Sequence, residues 1–274
     1  MDKPLSFDIR VPLSWNALSQ EQLRFLLRTV VAVQSAQGEG TSVASRTRAM
    51  VASICLCRWN GIEVDGYAGD AFMLSVGKTL FECRAAAFAE AVGLMEWIGE
   101  IPKFPVRLDT VDGHSAADAQ LSGVSFAKFL ALDNLWQGYL ATNSDDRLRD
   151  MAAILYDADD INPSKEELLG VFYWWASVKQ LFSNLYPSFF RSSDVAESQP
   201  DYKSLQKGMD TQIRALTKGD ITKESLVLAS DCRRALTELD ALAAEYDEIK
   251  RKYPDYGKLL QMGFLAVLPR PHGI

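Results

Sequence analysis

At 274 residues, with 48% hydrophobic and 24% charged side chains, the chain has the composition of an ordinary globular protein and is long enough to bury one large core or two smaller ones. Its 29 Lys and Arg against 36 Asp and Glu leave a formal net charge of −7, with a pI near 5.0, which argues against a broad phosphate-binding face of the kind duplex nucleic acid requires. The most apolar run, 168–178, reaches only about half the ~20 residues a bilayer crossing needs, so no membrane span is expected.

The four cysteines, Cys55, Cys57, Cys83 and Cys232, sit inside apolar segments without the paired spacing of a zinc site and read as buried free thiols. The opening MDKPLSFDIRVPLSW lacks a basic region followed by an apolar core, which predicts no secretory signal. Both observations fit a reducing cytoplasm.

Residues 7–11 alternate polar and apolar like a short strand that Pro12 ends. Ser19 and Gln22 have the spacing of a capping box, with Leu18 placed as a hydrophobic staple, and open a helix through Leu23, Leu26, Leu27 and Val30. The small, polar stretch 35–42 suits a mobile loop, and 43–59 a second helix. Beyond Asn60-Gly61, 72–76 and 79–83 form the arms of a hairpin around Gly77-Lys78. An alanine-rich helix over 85–98 follows. Then comes a linker-like loop to about Ser122, containing Pro102, Pro105 and Asp112-Gly113-His114.

The second half reads as helical: 124–141, 145–156, and a helix after Pro163 opened by a second capping box, Ser164 and Glu167. This last helix is apolar nearly all round. Leu168, Val171, Phe172, Trp175, Val178, Phe182, Leu185 and Phe189 line one face, with Tyr173 and Trp174 on another, which predicts the central core helix. A flexible link, 191–200, leads to a helix over 202–217 that Gly219 ends. Residues 221–253 then read as one long amphipathic helix, capped by Thr222 and closed by Lys250-Arg251-Lys252. Its stripe of Leu228, Cys232, Ala235, Leu239, Leu242, Tyr246 and Ile249 is widened by Ala229, Leu236 and Ala243 into a bundle-packing face. The expected fold is mainly α (α+β), a helical bundle with one small β-hairpin. It divides at 1–120 and 121–274, or forms one continuous domain.

Motifs for chemistry fail at identifiable positions. Gly77-Lys78-Thr79 has Phe72 where a phosphate loop needs its first glycine. The knot Asp157, Asp159 and Asp160 has Ile161 where a calcium loop needs an oxygen and Pro163 inside the loop, which leaves solvated carboxylates. His114 lies beside Ser115 and near Asp112 and Asp118, yet sequence adjacency is not triad geometry, no GxSxG elbow exists, and His272 falls in a terminal segment. Cys55 and Cys57, two apart on a helix, point to different sides. No catalytic residue, cofactor or metal ligand is therefore assigned, and neither metal nor nucleotide is expected.

What remains is surface for contact. The aromatic face with Tyr173 and Trp174 needs cover, from the core or from a partner. The tail 259–268, with Leu260, Phe264, Leu265 and Leu268, follows Pro254 and either docks back on the core or on another chain. These six are the candidate protein-interaction residues.

The block AlaLeuThrLysGlyAspIleThrLysGlu at 215–224, followed by AlaLeuThrGluLeu at 235–239, resembles a class of phage and prophage proteins. The stretches 13–19, 145–148 and 152–156 point the same way. The resemblance implies a context among tail and virion-assembly genes and a tail-assembly accessory or chaperone-like role, with no active-site residues to carry over. It implies a bacterial cytoplasmic location or association with the virion. The expected function is non-enzymatic assembly through protein partners or self-association, without nucleic acid or membrane. The alternatives are a structural subunit packing against its own copies, or an enzyme or ligand-binding domain whose site is gathered from scattered residues.

Overall fold

The computed structural model describes residues 8–37, 44–191 and 202–252. The fold is mainly α with a small amount of β, as the periodicities predict. The chain separates into two compact units, Met1–Gln120 with Leu135–Leu181, and Leu121–Asn134 with Phe182–Ile274.

In the first unit, helix α1 (Gln20–Gln37) begins at the predicted capping box, closed in both directions. The Gln22 N–H donates to Ser19 Oγ at 3.2 Å and the Ser19 N–H to Gln22 Oε1 at 2.9 Å. Its stripe of Leu23, Leu26, Leu27, Val30 and Val33 is buried. Helix α2 (Ala44–Asn60) packs on α1 and buries Val51, Ala52, Cys55 and Leu56. The strand expected over 7–11 does not form across its described residues, 8–11. There, Arg10 gives its backbone N–H to Asn60 Oδ1 at 2.8 Å and receives Asn60 Nδ2 on its carbonyl at 3.0 Å, so a side chain replaces the strand partner. The expected loop at 35–42 falls partly on α1 and otherwise outside the described residues.

The β element is larger than one hairpin. Strands β1 (Ile62–Ala68), β2 (Ala71–Val76) and β3 (Thr79–Arg84) form an antiparallel sheet in the order β1-β2-β3. The predicted β2-β3 pairing closes at Val76 opposite Thr79, with Gly77 at φ 61° supplying the left-handed turn position. The helix expected over 85–98 is shorter. Helix α3 (Ala85–Gly93) stops, and after Leu94-Met95 the chain makes a 3-10 turn at Glu96–Gly99. Met95, fully buried, anchors that break.

The segment read as linker-like is tied down. Strands β4 (Thr110–Val111) and β5 (His114–Ser115) pair across Asp112-Gly113, both at positive φ, with Leu108 and Val111 buried beneath. The Ala117 N–H donates to the Leu155 carbonyl at 2.8 Å. Helices α4 (Phe126–Thr142), α5 (Asp145–Leu155) and α6 (Lys165–Leu185) follow, α4 and α6 each contributing to both units. At the start of α6 Glu167 accepts from both the Ser164 N–H and its hydroxyl at 3.0 Å. Val171, Trp174, Trp175 and Val178 are all fully buried, so α6 is the core helix its composition predicts.

In the second unit, Phe126 and Phe129 of α4 stack, and Phe129 meets Phe182 of α6 at 6.0 Å. Helix α7 (Tyr202–Thr217) ends where predicted: Gly219 at φ 80° returns its N–H to the Arg214 carbonyl at 3.1 Å. The single helix expected over 221–253 is instead a 3-10 turn, Ile221–Lys223, a short α8 (Glu224–Ala229) and α9 (Cys232–Lys252), with Tyr253 outside the described residues. The cap assigned to Thr222 belongs to Asp220, whose carboxylate accepts the Thr222 N–H at 3.1 Å.

The break falls at Ser230-Asp231 because Phe126 donates its N–H to the Ser230 carbonyl and Cys232 donates to the Val124 carbonyl, both at 2.8 Å. Asp231 then caps α9 by accepting from Arg233 and Arg234. Further along, Asp240 accepts the N–H groups of Ser188 at 2.7 Å and Phe189 at 2.9 Å.

Candidate functional site

The six residues singled out for contact fare differently. Trp174 is 0% exposed and is core. Its indole N–H donates to the Ala119 carbonyl at 2.8 Å, Tyr156 meets it edge-on at 5.9 Å, and the Arg107 guanidinium lies 5.8 Å from its ring centre. No face of Trp174 is left for a partner. Tyr173 is half-buried against Trp15 at 4.7 Å and Phe172 at 5.5 Å, and burial pushes its phenol above the usual range. Leu260, Phe264, Leu265 and Leu268 lie outside the described residues.

The apolar stripe of α9 changes character along its length. Cys232, Ala235, Leu236 and Leu239 are buried, Leu242 is half-buried, and Tyr246 and Ile249 stand 40% and 44% exposed on the same stripe. Lys250, Arg251 and Lys252 form the last turn beside them, where cations complement the helix dipole. Arg191 pairs with Asp247 on the flank.

Among the described residues of the first unit, two clefts stand out. One, of about 600 Å³, is lined by Arg24, Arg28 and Arg58 with Phe25 and Trp59. Its cations are already engaged. Arg24 pairs with Glu167 at 3.2 Å and donates to Thr110 Oγ1 at 2.9 Å, Arg28 pairs with Glu166 at 3.3 Å, and Arg58 sits 5.9 Å from the Phe25 ring centre. The second cleft, of about 470 Å³, lies between α2, β2 and α3 and is mainly apolar: Ala49, Ala52, Phe72, Phe88, Val92 and Met95, with Arg48 and Glu96 as its charged groups.

Neither cleft was legible in the sequence. The i, i+4 spacing of Arg24 and Arg28 was a usable sign for the first. The second brings together Arg48 and Phe88, which no local pattern connects.

The motifs with missing positions appear as ordinary structure. Gly77-Lys78 is the β2-β3 turn, His114 is an exposed residue of β5, and Asp157, Asp159 and Asp160 are exposed. Among the described residues no group of three or more His, Cys, Asp and Glu is placed to hold a metal ion, and no helix is long and apolar enough to cross a membrane. Cys55 and Cys232 are buried free thiols, both pushed up to about 12, chiefly by burial. Comparison with known protein families, curated proteins and solved structures returns no match.

Proposed function

We propose that the protein is a non-enzymatic assembly factor of a phage or prophage tail or virion, acting in the bacterial cytoplasm by contact with another protein chain. The observation that carries this reading is the divided stripe of α9, whose first half is packed and whose second half presents Tyr246 and Ile249 to solvent. A solvent-facing continuation of a buried apolar stripe is the form of a helix-in-groove contact. The basic last turn beside it selects a partner segment that is apolar with an acidic flank. The resemblance to tail-module proteins supplies the context.

The test is co-expression with the proteins encoded beside its gene, comparing the parent chain with Y246E/I249E and with a chain ending before Leu259. Loss of one defined complex in the double variant, with helical content unchanged by circular dichroism, supports the reading. A homodimer lost in the same variant transfers the surface to a second copy of the chain. An unchanged complex removes α9 from the contact.

A further inference from the structure

The apolar cleft between α2, β2 and α3 has a feature that packing alone does not account for. Arg48 is on its wall, and the Arg48 Nε is buried with no hydrogen-bond partner. A buried donor without an acceptor is costly, and native structures supply one from the protein, from water or from a ligand. Around it the lining is Ala52, Phe72, Phe88, Val92 and Met95, with Phe72 and Phe88 meeting edge-on at 5.4 Å. The cleft of about 470 Å³ falls in the range of small-molecule sites, roughly 300–1,000 Å³. Gly99 allows the arginine its position: a Cβ there would come within 2.7 Å of Arg48 Nε.

We propose that this cleft binds a small apolar monocarboxylic acid, its hydrocarbon or aryl body among Phe72, Phe88 and Val92 and its carboxylate on the Arg48 guanidinium. A guanidinium offers a carboxylate two parallel donors, and the apolar lining offers the rest of the ligand a surface on which to bury. Glu96 also lines the cleft and disfavours a second negative charge on the ligand, so a monoanion is selected over a dianion. The site is independent of the partner contact proposed on α9, and either can fail alone.

Calorimetric titration of the full chain with octanoate and with octan-1-ol, which share the apolar body, tests the assignment. Octanoate is expected to bind one to one and about tenfold or more tighter than the alcohol, the value of a charge-assisted pair. R48M is expected to bring octanoate down to the alcohol's affinity, R48K to fall between, and A89F, which fills the cleft, to abolish both. Circular dichroism checks that each variant is folded, and R48K serves if R48M is not. E96Q is expected to tighten octanoate a few-fold. The proposal is overturned by the absence of saturable binding, by equal binding of acid and alcohol, by Arg48 variants that bind octanoate like the parent, or by binding that survives in folded A89F.

Discussion

The Asp231 carboxylate holds two segments at once: one oxygen accepts the Gly123 N–H at 2.6 Å, while the other accepts the Arg233 N–H at 2.9 Å and the Arg234 N–H at 3.2 Å in the first turn of α9. Gly123, at φ 76°, has the left-handed backbone that brings its N–H to the carboxylate. The isolated bridge of Ser125 with Asp231 completes the junction.

D231A therefore removes a helix cap and a charge-assisted bond together and is expected to destabilise the protein by about 2 kcal/mol. D231N, which still caps but accepts more weakly, is expected to cost about half as much. Urea unfolding checks both, through a lowered midpoint with an unchanged slope. Equal midpoints for the parent and D231A would remove Asp231 as the fixed point of this junction.

The same junction shows why the sequence was readable in some places and opaque in others. The capping boxes Ser19/Gln22 and Ser164/Glu167 are local, since every atom involved lies within three residues; the structure closes the first in both directions and the second from one side, with Glu167 accepting the Ser164 N–H. The stripe through Leu228 and Cys232 is also local, but the break between them is not. It depends on Phe126 and Val124, more than a hundred positions away, competing for the backbone at Ser230 and Cys232. Trp174 is a similar case. Helix α6 is apolar on two faces, and only the arrival of Ala119 and Tyr156 decides that the second face is interior. The apolar cleft is harder still, because its lining comes from α2, β2, α3 and the 3-10 turn that follows, whose meeting no periodicity encodes.

Burial of Trp174 predicts a stability effect where a surface role would predict a binding effect. W174A removes a fully buried aromatic and leaves the Ala119 carbonyl without its donor, so it is expected to cost about 3–5 kcal/mol. W174F keeps most of the volume and is expected to cost about 1–2 kcal/mol, mostly the lost hydrogen bond. Thermal unfolding followed at the tryptophan emission separates the two. A W174A chain as stable as its parent would reopen a surface role.

Glu166 predicts a pH dependence. A hydrogen bond from its own backbone N–H, and then those from Arg28 and Ser164, hold its carboxyl below the ordinary value of 4.5, against the opposing effect of partial burial. A depressed carboxylate stabilises the fold above its unfolded value and loses that contribution as pH falls through the folded one. E166Q is accordingly expected to be less stable than the parent by up to about 1 kcal/mol near neutrality. The gap should close as pH drops below 4.5. Urea midpoints for the two chains between neutral and acid pH measure it, and a gap constant with pH would mean that Glu166 acts by packing alone.

The thiols predict an order of reactivity. Thiolate is the reacting species, and burial pushes Cys55 and Cys232 up to about 12, with the charge of Asp231 adding to the effect at Cys232. Cys57, half-buried on α2, is raised by burial too. Cys83 is half-buried on β3, an edge strand of its sheet. Native protein treated with a chromogenic disulfide near pH 8 is therefore expected to react first at Cys83 and more slowly at Cys57. Cys55 and Cys232 should react only at the rate of unfolding, so denaturant must release both together with the loss of helical signal. Peptide mapping of the modified protein identifies each site. Fast modification of Cys232 in folded protein would show that the α9 junction opens on its own, and the D231A variant would then be expected to accelerate it further.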